Sequence, residues 1–382
     1  MVRIASFNVE NLFERPKAFN ATDVNQNNPI LDAYKNVNVL IKQDVYSPAD
    51  KAAMIDLLVT LEVYKVNEHG AVRRNETFPP KWAWLRKNRG TFDREPQDPT
   101  KSVEIIANGR ADWIGWIELA TEPTDEIGTR MTARVIEEVN ADVLGIVEAE
   151  DRPSLVRFND ELLGNQYRHA MLVDGNDERG IDVGIMTRQD FKILSICSNV
   201  DAEDNAGTIF SRDCPQYAVE TPNGTVVHIL VNHFKSQSGG GGSKRRRQAA
   251  KVREIADGLI EKGEHVIVMG DLNEGPRTGE TQAENLVRLY DNDSSLIDCY
   301  SLAQFDIGDR PGSYDGCGLS NRLDYIFISQ SLLPHFTGGG LFRKGLWGSR
   351  KTRPDKWDTY QEMESSAHQA SDHAVAFVDL DI

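Results

Sequence analysis

The sequence predicts a mixed α+β protein, and three observations carry that reading. Short apolar runs that read as strands recur along the chain, helices with one apolar face fall between them, and most strand-like runs have polar residues crowded at one end. The composition allows a sizeable core, since 40% of the 382 residues are hydrophobic and 27% are charged. No apolar run approaches the length of a membrane span.

The opening run, Arg3 to Val9, reads as a strand. Ile4, Ser6 and Asn8 fall on one side and Ala5, Phe7 and Val9 on the other, and NLFERP at 11–16 breaks it. Residues 17 to about 125 do not read as a series of strands and are expected to form an insertion packed on the main body of a single domain spanning 1–382. Within it, Ser47-Pro48-Ala49-Asp50 is a helix start, with Met54, Leu57, Leu58, Leu61 and Tyr64 on one face. KWAWLRKNRGTFD is aromatic and basic, and ADWIGWIEL is strand-like. Trp113 and Trp116 read as packing residues.

From 125 onward the pattern firms. Ile127, Met131, Val135 and Val139 predict a helix, Val143 to Val147 a strand ending in Glu148, and a second helix runs from Pro153 to a stop at Gly164. GIDVGIMTR, TVVHILVNHFKSQ, HVIVMGDLNEGP, NRLDYIFIS and SDHAVAFVDLDI follow as strands. GGGGS at 239–243 reads as a mobile loop inside the domain, followed by a helix from Lys244 to Lys262.

The four cysteines form no C-x-x-C pair, which speaks against a zinc cluster; free, mostly buried thiols in a reducing compartment are expected, with one disulfide left open. MVRIASFNVENLF carries no charged-then-apolar leader, so a cytoplasmic location is expected, or a secreted one if a leader has been removed. With 43 basic and 59 acidic residues the net charge is −16, the wrong sign for a non-specific nucleic-acid binder. A phosphate-bearing substrate must then be drawn in by a metal ion or a local basic patch.

The candidate chemistry sits at strand ends. Residues i and i+2 of a strand share a face, so Asp271 and Asn273 project together where Gly275-Pro276 turn the chain away. A carboxylate beside an amide suits proton abstraction from water and the holding of a phosphoryl oxygen; local turn capping is the other reading. Asn8 with Glu10, Glu148, His233 with Lys235, Asp324, and Asp372 with His373 sit in comparable places. Acids and amides are oxygen ligands for a hard cation such as Mg²⁺, and histidines beside acids donate protons or stabilise negative charge.

In this order the segments ASFNVENLF, DVLGIVEAED, RGIDVGIMTR, VNHFKSQ, VMGDLNEGP, RLDYIFIS and SDHAVAFV resemble the endonuclease/exonuclease/phosphatase superfamily, nearest its bacterial extracellular-nuclease-like branch. The family includes deoxyribonuclease I, exonuclease III-like repair enzymes, inositol polyphosphate 5-phosphatases and neutral sphingomyelinases. The resemblance implies a four-layer α-β-β-α sandwich and a Mg²⁺-dependent phosphodiesterase, with Mn²⁺ or Ca²⁺ as alternatives. It implies that Glu148, Asn8 and Asp372 serve the metal, that Asp271 activates water and that Asn273 holds phosphate or nucleophile. It further implies that His373 stabilises the transition state with Asp324 as its partner, and that His233 contacts phosphate or protonates the leaving oxygen. Glu10, Lys235 and Asp182 are expected near the substrate.

Lys244, Arg245, Arg246 and Arg247 start a helix, where cations are disfavoured by the dipole, so a phosphate partner or a solvated turn is expected there. RKTRP at 350–354 is a weaker candidate for the same role. Trp82, Trp84, Arg86, Lys87 and Arg89 could stack bases or build the insertion's own core. A nuclease acting as a monomer is the first expectation. A phosphatase on a small or lipid-linked phosphate is the second, and an inactive binding protein the third.

Overall fold

The computed structural model describes residues 1–12, 24–78, 80–120, 127–177, 180–237, 240–291, 293–348 and 357–382. The chain divides into two compact units, Met1–Phe13 with Thr124–Ile382, and Glu14–Pro123.

The first unit is built on two large sheets. The seven-stranded sheet runs in the order Phe305–Asp306, Phe336–Phe342, Val375–Leu380, Val2–Leu12, Val143–Ala149, Asp182–Thr187, His169–Val173. The six-stranded sheet runs Lys192–Cys197, Gln216–Glu220, Val226–His233, His265–Asp271, Asp324–Ser329, Leu296–Asp298. Their inner faces share one apolar layer, with Ile4, Val143, Val147 and Ile185 from one sheet meeting Val227, Ile229, Ile267 and Ile326 from the other. The alternation of the first strand explains how both of its faces are used. Ile4 goes inward between the sheets, while Ala5, Phe7 and Val9 go outward against Met131, Val135, Leu155 and Phe158 of the helices Ile127–Val139 and Arg152–Leu162. On the far side, Val252 and Ala256 of the helix Gly242–Ile260 cover Leu230, Val266, Val268 and Phe327. The architecture is therefore a mixed α+β sandwich of four layers, helix, sheet, sheet, helix.

Two parallel pairs set the position of the site. Val2–Leu12 runs beside Val143–Ala149, and Val226–His233 beside His265–Asp271, so all four strands carry their C-terminal polar residues to one rim. Asp324 opens a strand antiparallel to His265–Asp271 and is paired directly with Asp271. The last strand, Val375–Leu380, is antiparallel to the first, with Ser6 opposite Ala376, which brings Asp372 and His373 to the same rim.

The second unit has its own core, in which Val37, Ile41, Met54, Leu58, Tyr64 and Trp113 are buried. Ser47 and Asp50 form the expected capping box on the helix Pro48–Thr60, but Leu61 caps that helix and Tyr64 begins a strand. The helix Val24–Ile41 was not legible, because five asparagines, poor helix formers, dilute its pattern. Among the described residues, three two-stranded ribbons accompany these helices. Trp113 is fully buried, whereas Trp116 is 46% exposed, which corrects the reading of both as packing residues. Residues 350–354 lie outside the described residues, as do 238 and 239, which precede the helix at Gly242. That helix begins two residues before the expected Lys244 and ends at Ile260. The four cysteines are free thiols, Cys197 exposed and the others buried. Among the described residues no helix is long and apolar enough to cross a membrane.

Candidate active site

Asp271 lies at the centre of the rim. Its side chain is 2% exposed. Oδ1 accepts the Asn273 backbone N–H at 2.8 Å, and Oδ2 accepts the side-chain amides of Asn8 at 3.1 Å and Asn273 at 3.2 Å. The Asn8 bond crosses from one sheet to the other. Gly270 lets the neighbouring strand Val226–His233 of the same sheet lie close beside this strand end. It adopts φ +134°, and a Cβ there would stand 2.0 Å from the Asn232 carbonyl oxygen, so only glycine lets the neighbouring strand come this near. Glu10, Glu148 and Asn273 adopt positive φ of 50°, 69° and 54°, a left-handed backbone that non-glycine residues rarely hold. Such local strain collects at functional rims.

Both histidines close on Asp271. His233 Nε2 is 3.7 Å from Asp271 Oδ2 and 3.5 Å from Glu148 Oε1. His373 Nε2 is 3.8 Å from the same Asp271 oxygen and 3.8 Å from Asp372 Oδ1. The His373 Nδ1 lies 2.7 Å from Asp324 Oδ2, which also accepts the Ser313 hydroxyl at 2.6 Å. Nε2 is thereby left facing the cavity. Tyr314 sets its ring 4.8 Å from the imidazole. Asp271, both histidines, Glu148, Asp372 and Tyr314 line a cavity of about 430 Å³ together with Glu10, Arg212, Ser236 and Gln237.

Electrostatics follow from this crowding. Burial lifts Asp271 to about 7, with His373 pulling it down and Asp324 and Glu148 pushing it up. Burial also raises Asp372 well above the carboxylate range, aided by Glu10. Burial alone would neutralise His373, but the charges of Asp324 and Asp271 outweigh it and hold the imidazole protonated well above its usual range.

Two buried devices hold the C-terminal segment. Ser371 donates its hydroxyl to the Asn8 carbonyl at 2.7 Å and accepts the His373 N–H at 2.9 Å. Glu10 Oε2 accepts the Asp372 N–H at 2.9 Å and the Gln369 amide at 3.1 Å. Glu10 thus orders the segment that presents His373. Arg212, 3% exposed, is ion-paired to Asp177 at 2.8 Å and lines the cavity. Neither Arg212 nor Ser313 carried a sequence signal, because each sits in a loop without periodicity; Ser371 was visible only as part of SDH.

The structure gives the basic residues other partners. Arg245 is buried, donates from Nε to Glu274 Oε2 at 2.7 Å and from Nη1 to the carbonyls of Lys235 and Ser236, which corrects its reading as a substrate contact: its charge is paired inside the protein, away from solvent. Arg246 meets Asn285 and Glu284, and Arg247 meets Asp204, so acidic and amide neighbours replace the anticipated phosphate. Lys235 lies beside this network, its N–H on Gln248. Asp182 accepts the Gly175 N–H at 2.7 Å, and burial raises it to about 6, against a lowering influence from Arg212.

A hard divalent cation suits the donor chemistry, which is oxygen-rich: Glu10, Glu148, Asp271 and Asp372 all line one cavity. Ligand atoms of Asp271, Asp324 and His373 also lie within 4.8 Å of one another. Asp324 Oδ2, however, is already engaged by Ser313 and His373, and the residue is fully buried. Glu148 and Asp372 are the more open carboxylates, their side chains 19% and 25% exposed.

Sandwich and rim together define a class, the phosphoric-ester hydrolases of the endonuclease/exonuclease/phosphatase type, whose members are phosphodiesterases, phosphatases and nucleases and commonly use divalent metals. The model of the Endonuclease/Exonuclease/phosphatase family matches residues 90–340, and the chain belongs to that family. No curated protein sequence matches the chain. Among solved structures it is similar to a mannosyl-6-phosphatase of Bacteroides thetaiotaomicron, at 18% identity over 67% of this chain and 92% of that one, with a TM-score of 0.49. It is similar to the human Nocturnin catalytic domain with bound sulfate, at 15% identity over 67% and 86% of the two chains, TM-score 0.48. A truncated Caenorhabditis elegans TDP2 is similar at 17% identity over 66% and 90%, TM-score 0.44.

Proposed function

We propose that the chain is a divalent-metal-dependent phosphodiesterase that hydrolyses nucleic-acid phosphodiester bonds by in-line attack of water. One observation carries the reading: a single Asp271 oxygen lies within 3.7 Å of His233 Nε2 and 3.8 Å of His373 Nε2, with Glu148 3.5 Å from His233. Asp271, raised to about 7, is poised to take a proton from water near neutral pH. Its Oδ2 is kept in place by the amides of Asn8 and Asn273, and with both Nδ2 hydrogens given to Asp271 and the Phe234 carbonyl, Asn273 keeps its Oδ1 to accept from the water.

As the water oxygen bonds to phosphorus, negative charge grows on the phosphoryl oxygens and the bond to the leaving oxygen breaks. His373, kept protonated by Asp324, donates from Nε2 to that growing charge. His233 supplies the proton that the leaving oxygen needs. Glu148, Asn8 and Asp372 would hold Mg²⁺, or Mn²⁺ or Ca²⁺ in its place. Such an ion, when bound, supplies Lewis-acid stabilisation of phosphoryl charge.

The net charge of −16 favours a second reading, a phosphatase or phosphodiesterase acting on a small or lipid-linked phosphate. Turnover of plasmid DNA, RNA, inositol phosphates and sphingomyelin with Mg²⁺, each repeated in EDTA, separates the two. Cleavage of nucleic acid alone is expected. Preference for a small phosphate selects the second reading, and full turnover in EDTA overturns the metal role.

A further inference from the structure

We infer that a second cavity on the same rim, built on Arg310 and Arg343, holds a further phosphate of the substrate, one that is not cleaved. The inference deepens the proposed function and rests on that reading for its substrate, a nucleic-acid strand in which one phosphate follows another.

The sheet places this cavity. Phe305–Asp306 runs parallel to Phe336–Phe342, and Phe342 is paired with Val375, two residues beyond His373. The segments that follow Asp306 and Phe342 therefore emerge at the rim that carries His373. They enclose a cavity of about 440 Å³ whose lining includes Asp309, Arg310, Arg343, Lys344, Trp357 and Asp358. Four residues of chain, at most about 14 Å, separate Arg310 from Tyr314, which lines the catalytic cavity and stands against His373.

Two guanidinium groups here lack a counter-charge. Arg343 is 9% exposed and donates from Nη1 to the Ile307 carbonyl at 2.9 Å and from Nη2 to the Arg310 and Gly312 carbonyls at 2.6 and 2.9 Å. Those bonds tie down the loop that leads to Ser313 and Tyr314, which is a structural task. They do not neutralise the residue, because a carbonyl carries no net charge. Arg310 donates from Nη1 to the Gly316 carbonyl at 2.7 Å and lies 5.6 Å from the centre of the Trp357 ring. Both Nε groups are buried without a hydrogen-bond partner. Among the described residues neither guanidinium is ion-paired to a carboxylate. Burial raises the Cys317 thiol against the pull of both arginines, so it stays neutral and adds no negative charge. Lys344, by contrast, is spent on Glu138 at 2.8 Å. Asp309 and Asp358 are exposed, so water screens them, whereas the buried Arg343 charge is screened far less. The catalytic cavity has the opposite character, with Glu10, Glu148, Asp271 and Asp372 in its lining. A strand drawn to those acids needs a cation to anchor it beside them, and a guanidinium with hydrogens to spare suits a phosphate.

Arg310→Met and Arg310→Lys in the full chain test the inference. With Mg²⁺, kcat/KM is measured on bis-p-nitrophenyl phosphate, which has a single phosphate, and on a thymidine tetranucleotide, which has several. Arg310→Met should lower the ratio of tetranucleotide to bis-p-nitrophenyl phosphate by about tenfold or more, through KM, and Arg310→Lys should restore part of it. The dependence of log kcat/KM on log salt for the tetranucleotide should flatten by about 0.7 in Arg310→Met. A purely structural role for Arg310 would lower both substrates together and leave the ratio where it was. Circular dichroism establishes that each variant is folded. Fluorescence anisotropy of the labelled tetranucleotide in EDTA reads binding without turnover, and the same loss is expected there. A ratio within about twofold of the parent overturns the inference. Hydrolysis of bis-p-nitrophenyl phosphate with the tetranucleotide left intact removes the nuclease reading instead. The anisotropy then decides the cavity by itself: a tenfold loss in Arg310→Met upholds it, and an affinity within about twofold of the parent overturns it.

Discussion

Replacing Asp324 with Asn tests the protonation of His373 directly. The side chain keeps its shape but loses its charge. In the parent, the carboxylate meets the imidazole at 2.7 Å, with the two side chains 0% and 6% exposed. A hydrogen bond to a charged group contributes about 1.5–3 kcal/mol. One pKa unit corresponds to about 1.4 kcal/mol, so His373 should lose its proton about one to two units lower in the variant. The alkaline limb of bis-p-nitrophenyl phosphate hydrolysis should move down by the same amount. The imidazole resonances, followed by NMR titration, read the shift without relying on turnover. A thermal melt checks that the variant is folded. If both the kinetic limb and the imidazole titration stay within about 0.3 unit of the parent, Asp324 does not control His373 and the reasoning fails.

Four further outcomes follow from the geometry. Arg245→Met should destabilise by about 3–5 kcal/mol in urea, since it strands the Glu274 carboxylate, whereas Arg246→Ala, on an exposed residue, should stay within about 0.5 kcal/mol. Gly270→Ala should cost about 3 kcal/mol or more by the same measurement, because it combines a positive φ with a backbone clash. Asp271 is raised from its usual 3.8 to about 7, and His373 is raised too, so the stability each contributes is present at low pH and lost as pH rises through the folded values; the melting temperature in EDTA should fall as pH rises from about 4 through about 7 and continue downward as His373 loses its proton, and Mg²⁺ should reduce that fall. Glu148→Gln should weaken Mn²⁺ binding by about tenfold or more in a calorimetric titration, and unchanged affinity would remove Glu148 from the ligand set.

Much of the rim was legible because its signals are local. Asp271-Leu272-Asn273, Asp372-His373 and Asn8 each stand at the end of an apolar run whose period fixes which way they point. The supporting roles were not, since they arise only between segments far apart in the chain. Ser313 binds Asp324 from a loop, Glu10 holds Asp372 across 362 positions, and Arg212 meets Asp177. The basic residues 245–247 were legible as charge but not as pairs, because composition does not display the partner that each one meets. Trp113 and Trp116 are three residues apart in a stretch that reads as a strand, so period-two alternation sends them to opposite faces, a consequence the reading of both as packing residues did not draw.

The pairing of Val2–Leu12 with Val375–Leu380 makes the rim depend on a single long-range ladder. Asn8 and His373 stand 365 positions apart, and each is delivered to the rim by one member of that pair. Loss of this ladder alone would part the two side chains and open the rim.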